Sequence, residues 1–217
     1  MKIKKSFTDS MAQISLGING TLNNPAIMAR MIPFGYTEEV MNIGKAKLDT
    51  TQAASLKHQR EYGEQYTAFE EKNLLWSEAQ TRYKTIITLS RIALKGKPGV
   101  LHSLRATGSR SRSLTGFIKD ARFLYNNLLA QPECMEIIRK FGITAARLNA
   151  ENHQINDLER AYENFFKEKG EAQDMTVKRD QLFDDLYNWY SDFRAVARLA
   201  LNDSPQMLEE LGIVVKR

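Results

Sequence analysis

The sequence predicts an all-α protein, an up-down helical bundle built from two tandem helical hairpins with additional short helices. Three observations carry that reading. Apolar residues recur every three or four positions through much of the chain, which puts them on one face of a helix. Prolines stand where a first helical turn accepts them, and glycines where a helix can end. A shift of 107 positions lays the chain on itself without a gap: Asn24-Pro25 falls on Gln131-Pro132, Phe34-Gly35 on Phe141-Gly142, Thr37 on Thr144, Tyr83 on Tyr190, and Pro98 on Pro205. The chain is accordingly read as one domain, 1–217, formed by two repeat units, 1–107 and 108–217.

Each unit opens with a short helix, expected over 8–22 and 114–130. Pro132 starts a second short helix that stops near Gly142, and Thr144 is placed to cap the helix that follows. That helix carries Leu148, Ile155, Leu158, Tyr162 and Phe165 on one face. The polar stretch from Lys167 to Gln173, with Gly170 inside it, reads as a hairpin apex. Beyond it, Leu182, Leu186, Trp189, Phe193, Val196 and Ala200 form the strongest periodic segment of the chain. In the first unit the matching stripe is Leu75, Ala79, Arg82, Ile86, Leu89 and Ala93. Its partner helix is poorer in large apolar residues, with Met41, Gly44, Leu48, Thr51, Ser55 and His58 allowing close approach, while Tyr62, Tyr66 and Phe69 fill space near the apex. The expected long helices are 37–63, 66–95, 144–169 and 172–202. The rival arrangement replaces each hairpin by one bent helix, because the heptad register runs through Gly170 with little phase error.

With 217 residues the chain can form a sizeable core without cross-links. Cys134 is the only cysteine, so no intrachain disulfide forms and no CxxC pair marks a zinc site. The basic opening at Lys2, Lys4 and Lys5 is like that of a signal peptide, but Thr8, Asp9, Ser10 and Gln13 interrupt the apolar run such a peptide needs. Cytoplasmic residence is therefore the expectation, and no apolar run is long enough for a transmembrane helix. The net charge of +5 is unevenly spread. Ten basic residues stand between Arg82 and Arg122 against the single acid Asp120.

That basic stretch supplies the candidate anion or nucleic-acid contacts. Arg105, Arg110, Arg112, Lys119 and Arg122 surround a Gly/Ser-rich linker, and Phe117, Phe123 or Tyr125 would stack on exposed bases unless they are core residues of the helix that follows. Arg91 and Arg198 recur near the ends of the long helices, where a cation suits the helix C-terminus, and they would bind an anion if brought together. Trp189 and Tyr190 are candidates for core packing or for an interface. Of the three histidines, His153 has Glu151, Asp157 and Glu159 near it, but no Glu-x-x-His pair and no HExxH exists, so no metal is assigned. His58 falls on the inner face. Glu151 with Asp157, and Asp180 with Asp184 and Asp185, bring carboxylates together on a helix surface. Nucleophile elbows, phosphate loops and dinucleotide loops are absent, and no catalytic residue or cofactor is assigned.

The phrases Glu61-Tyr62-Gly63-Glu64-Gln65-Tyr66 and Lys167-Glu168-Lys169-Gly170-Glu171-Ala172-Gln173, the Arg-x-Ala-Leu helix ends and the segment from Ser204 to Ile213 resemble an uncharacterised group of bacterial all-helical proteins. The resemblance implies a helical bundle and no activity. The residues favour a helical scaffold or protein-interaction module without catalysis, its partner a second copy or another protein. The alternatives are nucleic-acid or other polyanion binding through 82–122, and an enzyme with a site between the hairpins.

Overall fold

The computed structural model describes residues 6–214, and within them every regular element is helical. The basic opening lies outside the described residues. Ser6 accepts the Asp9 N–H and starts α1, Phe7–Asn23. Asn24 takes the N–H groups of Ala26 and Ile27 to start α2, Pro25–Met31. A 3-10 turn, Ile32–Phe34, ends at Gly35 in the left-handed conformation. Thr37 then accepts the Val40 N–H at the head of α3, Glu38–Ala93. Next come α4, Pro98–Ser103, and α5, Leu114–Leu129, the latter capped by Ser113. After α6, Pro132–Arg139, and the left-handed Gly142, Thr144 caps α7, Ala145–Ala200. The series ends with α8, Pro205–Glu210. The starts of α1, α2, α3 and α4 recur 107 positions later at α5, α6, α7 and α8, and the left-handed Gly35 recurs at Gly142.

The expected hairpins do not form. Helices 37–63 and 66–95 are the single helix α3, and 144–169 and 172–202 are the single helix α7, each of 56 residues. Gly63 and Gly170 keep right-handed helical backbone. The physical reason is that an interior glycine costs a helix only about 1 kcal/mol relative to alanine. The apolar stripe on either side of each glycine stays in register, and burying it outweighs that cost. No proline interrupts either helix.

Two compact units result, one made of 1–61 with 171–217 and the other of 62–170. Each takes half of both long helices. In the first, Met11, Ile14 and Ile18 of α1 and Ile27 and Met31 of α2 close over Met41 and Leu48 of α3 and Leu186, Tyr190 and Phe193 of α7. Here α3 and α7 run antiparallel: Thr51 donates to the Leu182 carbonyl, and Lys47 pairs with Asp185. In the second unit, Ile118, Ala121, Leu124, Tyr125 and Leu128 of α5 meet Tyr83, Ile86 and Ile87 of α3 and Leu148, Ile155 and Leu158 of α7. Leu186 and Phe193 are fully buried while Leu182 and Val196 are half-buried, as their helical spacing predicts. No helix among the described residues is long and apolar enough to cross a membrane.

Candidate functional site

The linker between α4 and α5 builds a polar cleft of about 220 Å³ in the unit of residues 62–170. Its floor is Tyr83 of α3, and its walls are His102 at the end of α4, Arg105, Thr107, Ser109 and Arg110 of the linker, and Asp120 of α5. Two arginines are held there by aromatic faces. The Arg105 guanidinium lies 4.3 Å from the centre of the Phe123 ring, and that of Arg110 lies 5.6 Å from the centre of Tyr83. Asp120 accepts the Ser111 N–H at 3.2 Å, which ties the linker to α5. Burial pushes the Tyr83 hydroxyl above its ordinary pKa, and the nearby Arg110 works against that shift.

The other cations of the basic stretch divide by role. Arg122 is spent on Glu159 and Asn156, and the hydrogen bond it gives Glu159 holds that carboxyl below the usual range. Arg91 donates from Nε to the Ala106 carbonyl and so fastens the end of α3 to the linker. Arg198, at the equivalent position of α7, is exposed and belongs to the other unit. Arg112 and Lys119 are exposed, and neither has an ion pair among the described residues. The structure therefore gathers Arg105 and Arg110, engages Arg91 and Arg122 elsewhere, and keeps Arg198 in the other unit.

The aromatic residues proposed for base stacking are not offered to solvent. Phe117 and Tyr125 are core residues, and Phe123 is half-buried beneath Arg105. Tyr190 is likewise core: it is 2% exposed, its hydroxyl donates to the Gln13 carbonyl, and burial raises its pKa to about 12. Trp189 stacks on Phe193 and covers Gly44, where a Cβ would stand 2.1 Å from the indole. Tyr190 thus belongs to the core of its unit and Trp189 packs, partly buried, against it.

Most of the remaining candidates are paired or buried. Asp157 pairs with Arg160, Asp180 with Arg179 and Asp185 with Lys47. Glu151 is buried and its charge acts on Tyr125. His153 is exposed, whereas His58 stands 3.1 Å from a guanidinium nitrogen of Arg179, and burial followed by that charge lowers its pKa. Cys134 is buried, its thiol donating to Gln131, and burial raises its pKa.

Sequence reasoning missed an aromatic cluster in the middle of the long helices. Phe69 meets Phe165 at 5.7 Å between ring centres, Phe165 meets Phe166 at 5.4 Å, and Phe166 meets Tyr162 at 4.9 Å. The Lys72 ammonium lies over both Phe69 and Phe165, and burial lowers its pKa. Phe166 is 50% exposed and Tyr66, one turn before Phe69, is 64% exposed. The signal in the sequence is the four- and three-residue spacing of Tyr62, Tyr66 and Phe69, which fits an exposed helix face as well as an apex.

No family model, no curated protein and no solved structure matches the chain.

Proposed function

We propose that the chain is a helical scaffold that binds another protein chain through the aromatic cluster on its long helices. The exposure of Phe166 and Phe69, joined through Phe165, carries this reading, with the exposed Tyr66 one helical turn before Phe69, because large apolar groups in contact with one another on a surface mark interaction sites more often than scattered ones do. A second copy is the first occupant to test, since most soluble oligomers are symmetric homo-oligomers. Light scattering over a concentration series is expected to show a mass that rises to the dimer, and Phe166→Glu with Tyr66→Glu is expected to return it to the monomer. A monomer at every concentration contradicts self-association.

The repeated element order supports a tandem duplication of a unit of about 107 residues, since helix starts, caps and left-handed turns recur at one offset. A second functional reading is polyanion binding through 82–122, favoured by the exposed cations Arg105, Arg110, Arg112 and Lys119. It predicts affinity for a DNA duplex that falls steeply with salt and falls further in Arg105→Gln, Arg110→Gln and Arg112→Gln. Flat polarisation titrations at low salt contradict it.

A further inference from the structure

We infer that the α4–α5 cleft is a binding site for a single phosphate group, free or carried as a phosphate monoester. This deepens the polyanion reading and shares its arginines, but it asks for a pocket and not for a charged surface.

The first observation is the Arg105 backbone. Its φ of 51° lies in the left-handed region, and Arg105 is the only described non-glycine residue there. At the matching position 107 residues later stands Gly212, with φ 68°. Glycine adopts this conformation without strain, whereas arginine pays a steric cost for it. Both turns close alike, with Ala106 donating to Leu101 and Ile213 to Leu208. The turn therefore does not need arginine; the side chain at this position does something the backbone does not require. What it does is bring a guanidinium over Phe123, at the wall of the cleft.

The second observation is that neither Arg105 nor Arg110 has a carboxylate partner among the described residues, although both line the same cleft as Asp120. Arg105 over its ring keeps its N–H edge able to donate, and Arg110, which gives one hydrogen bond to the Tyr83 hydroxyl, keeps its remaining N–H groups. Two such forks, with the hydroxyls of Thr107 and Ser109 and the imidazole of His102, make a set of donors suited to the oxygens of a phosphate. The one wall group of the wrong sign is Asp120, which leaves the cleft with a net positive charge from its two arginines. With Phe117 and Tyr125 buried, neither stacks on a base, so the chemistry favours an isolated phosphate over a single nucleic-acid strand.

Isothermal titration calorimetry of the full chain with inorganic phosphate and with ribose 5-phosphate, at an ionic strength held constant with chloride, tests the site. Saturable binding at one site is expected. Arg105→Gly and Arg110→Gln should each weaken it about tenfold, the scale of a lost charge-assisted hydrogen bond. Asp120→Asn should tighten it, and Arg112→Gln, outside the cleft, should leave it nearly unchanged. Arg105→Gly is expected to melt no lower than the parent because glycine suits the turn, so lost binding in that variant is not lost folding. Equal affinity for the two probes assigns the phosphate group itself as the ligand, and tighter ribose 5-phosphate assigns a monoester. No saturable heat with either probe, or an equal loss in Arg112→Gln, overturns the site. Duplex binding without phosphate saturation would leave the polyanion reading standing and remove this one; the reverse pattern would do the opposite.

Discussion

Where residues 1–61 and 171–217 place Gly44 beneath the indole of Trp189, the unit of residues 62–170 has Glu151 and Arg82 at the matching positions. One unit closes this layer by fitting a large ring into the space a missing side chain leaves. The other carries groups of opposite charge at these positions, both of which act on the buried Tyr125 hydroxyl. The same contrast recurs at the ends of the units. Gly212 is held close, since a Cβ there would meet Leu16 at 2.9 Å, whereas Arg105 is exposed and turned to a ring. Matching backbone turns thus support a close-packed end in one unit and a polar cleft in the other. Backbone geometry in this protein recurs at the 107-residue offset, and surface chemistry does not.

The largest expected effect is in the unit of residues 1–61 and 171–217. Phe193, fully buried between Tyr36, Trp189 and Tyr190, should cost about 4 kcal/mol on replacement by alanine, read from the denaturant midpoint at unchanged slope. Gly44→Ala should cost about 2 kcal/mol, because the new methyl meets the indole. The loss should shrink in a Trp189→Leu background, and additivity of the two changes would break the proposed fit. Ser90→Ala has the opposite sign. The Ser90 hydroxyl is buried without a partner among the described residues, and the matching residue of the other unit is the buried Ala197, so a gain of about 1 kcal/mol is expected.

Arg122→Gln should have the smallest effect, below about 1 kcal/mol, since both partners are partly exposed and screened. Its pH dependence has a definite sign. The folded pKa of Glu159 is depressed by Arg122, so the stabilisation is present above the unfolded carboxyl pKa and is lost as pH falls through the folded value. A denaturation series taken downward from neutral pH should show the parent and Arg122→Gln converging in acid, and a constant gap would contradict the pairing.

Much of the fold was legible because its punctuation is local. Ser113 and Thr144 cap the helices they precede, and Pro25, Pro98, Pro132 and Pro205 each open one. The continuity of α3 and α7 was not legible in the same way. A glycine flanked by polar residues fits a helix end and a solvated helix interior alike, and only the pairing along the whole stripe separates the two. That one ambiguity also misplaced Tyr66 and Phe69, which have no apex to fill and stand exposed. The basic stretch was visible as composition. Which of its cations would be consumed was not, because Glu159 lies 37 residues beyond Arg122 in the chain, and because the left-handed turn at Arg105 shows in sequence only as the glycine at the matching position 212.

Both units depend on two helices that run through Gly63 and Gly170 without a turn, and the unfolding free energy of the Gly63→Ala, Gly170→Ala double variant tests this most directly. An added methyl meets nothing within 4 Å at either position, and alanine favours a helix interior over glycine by about 1 kcal/mol. The continuous helices predict a protein more stable than the parent. A less stable one would mean that these glycines occupy the left-handed corners of hairpins, and that α3 and α7 are broken there.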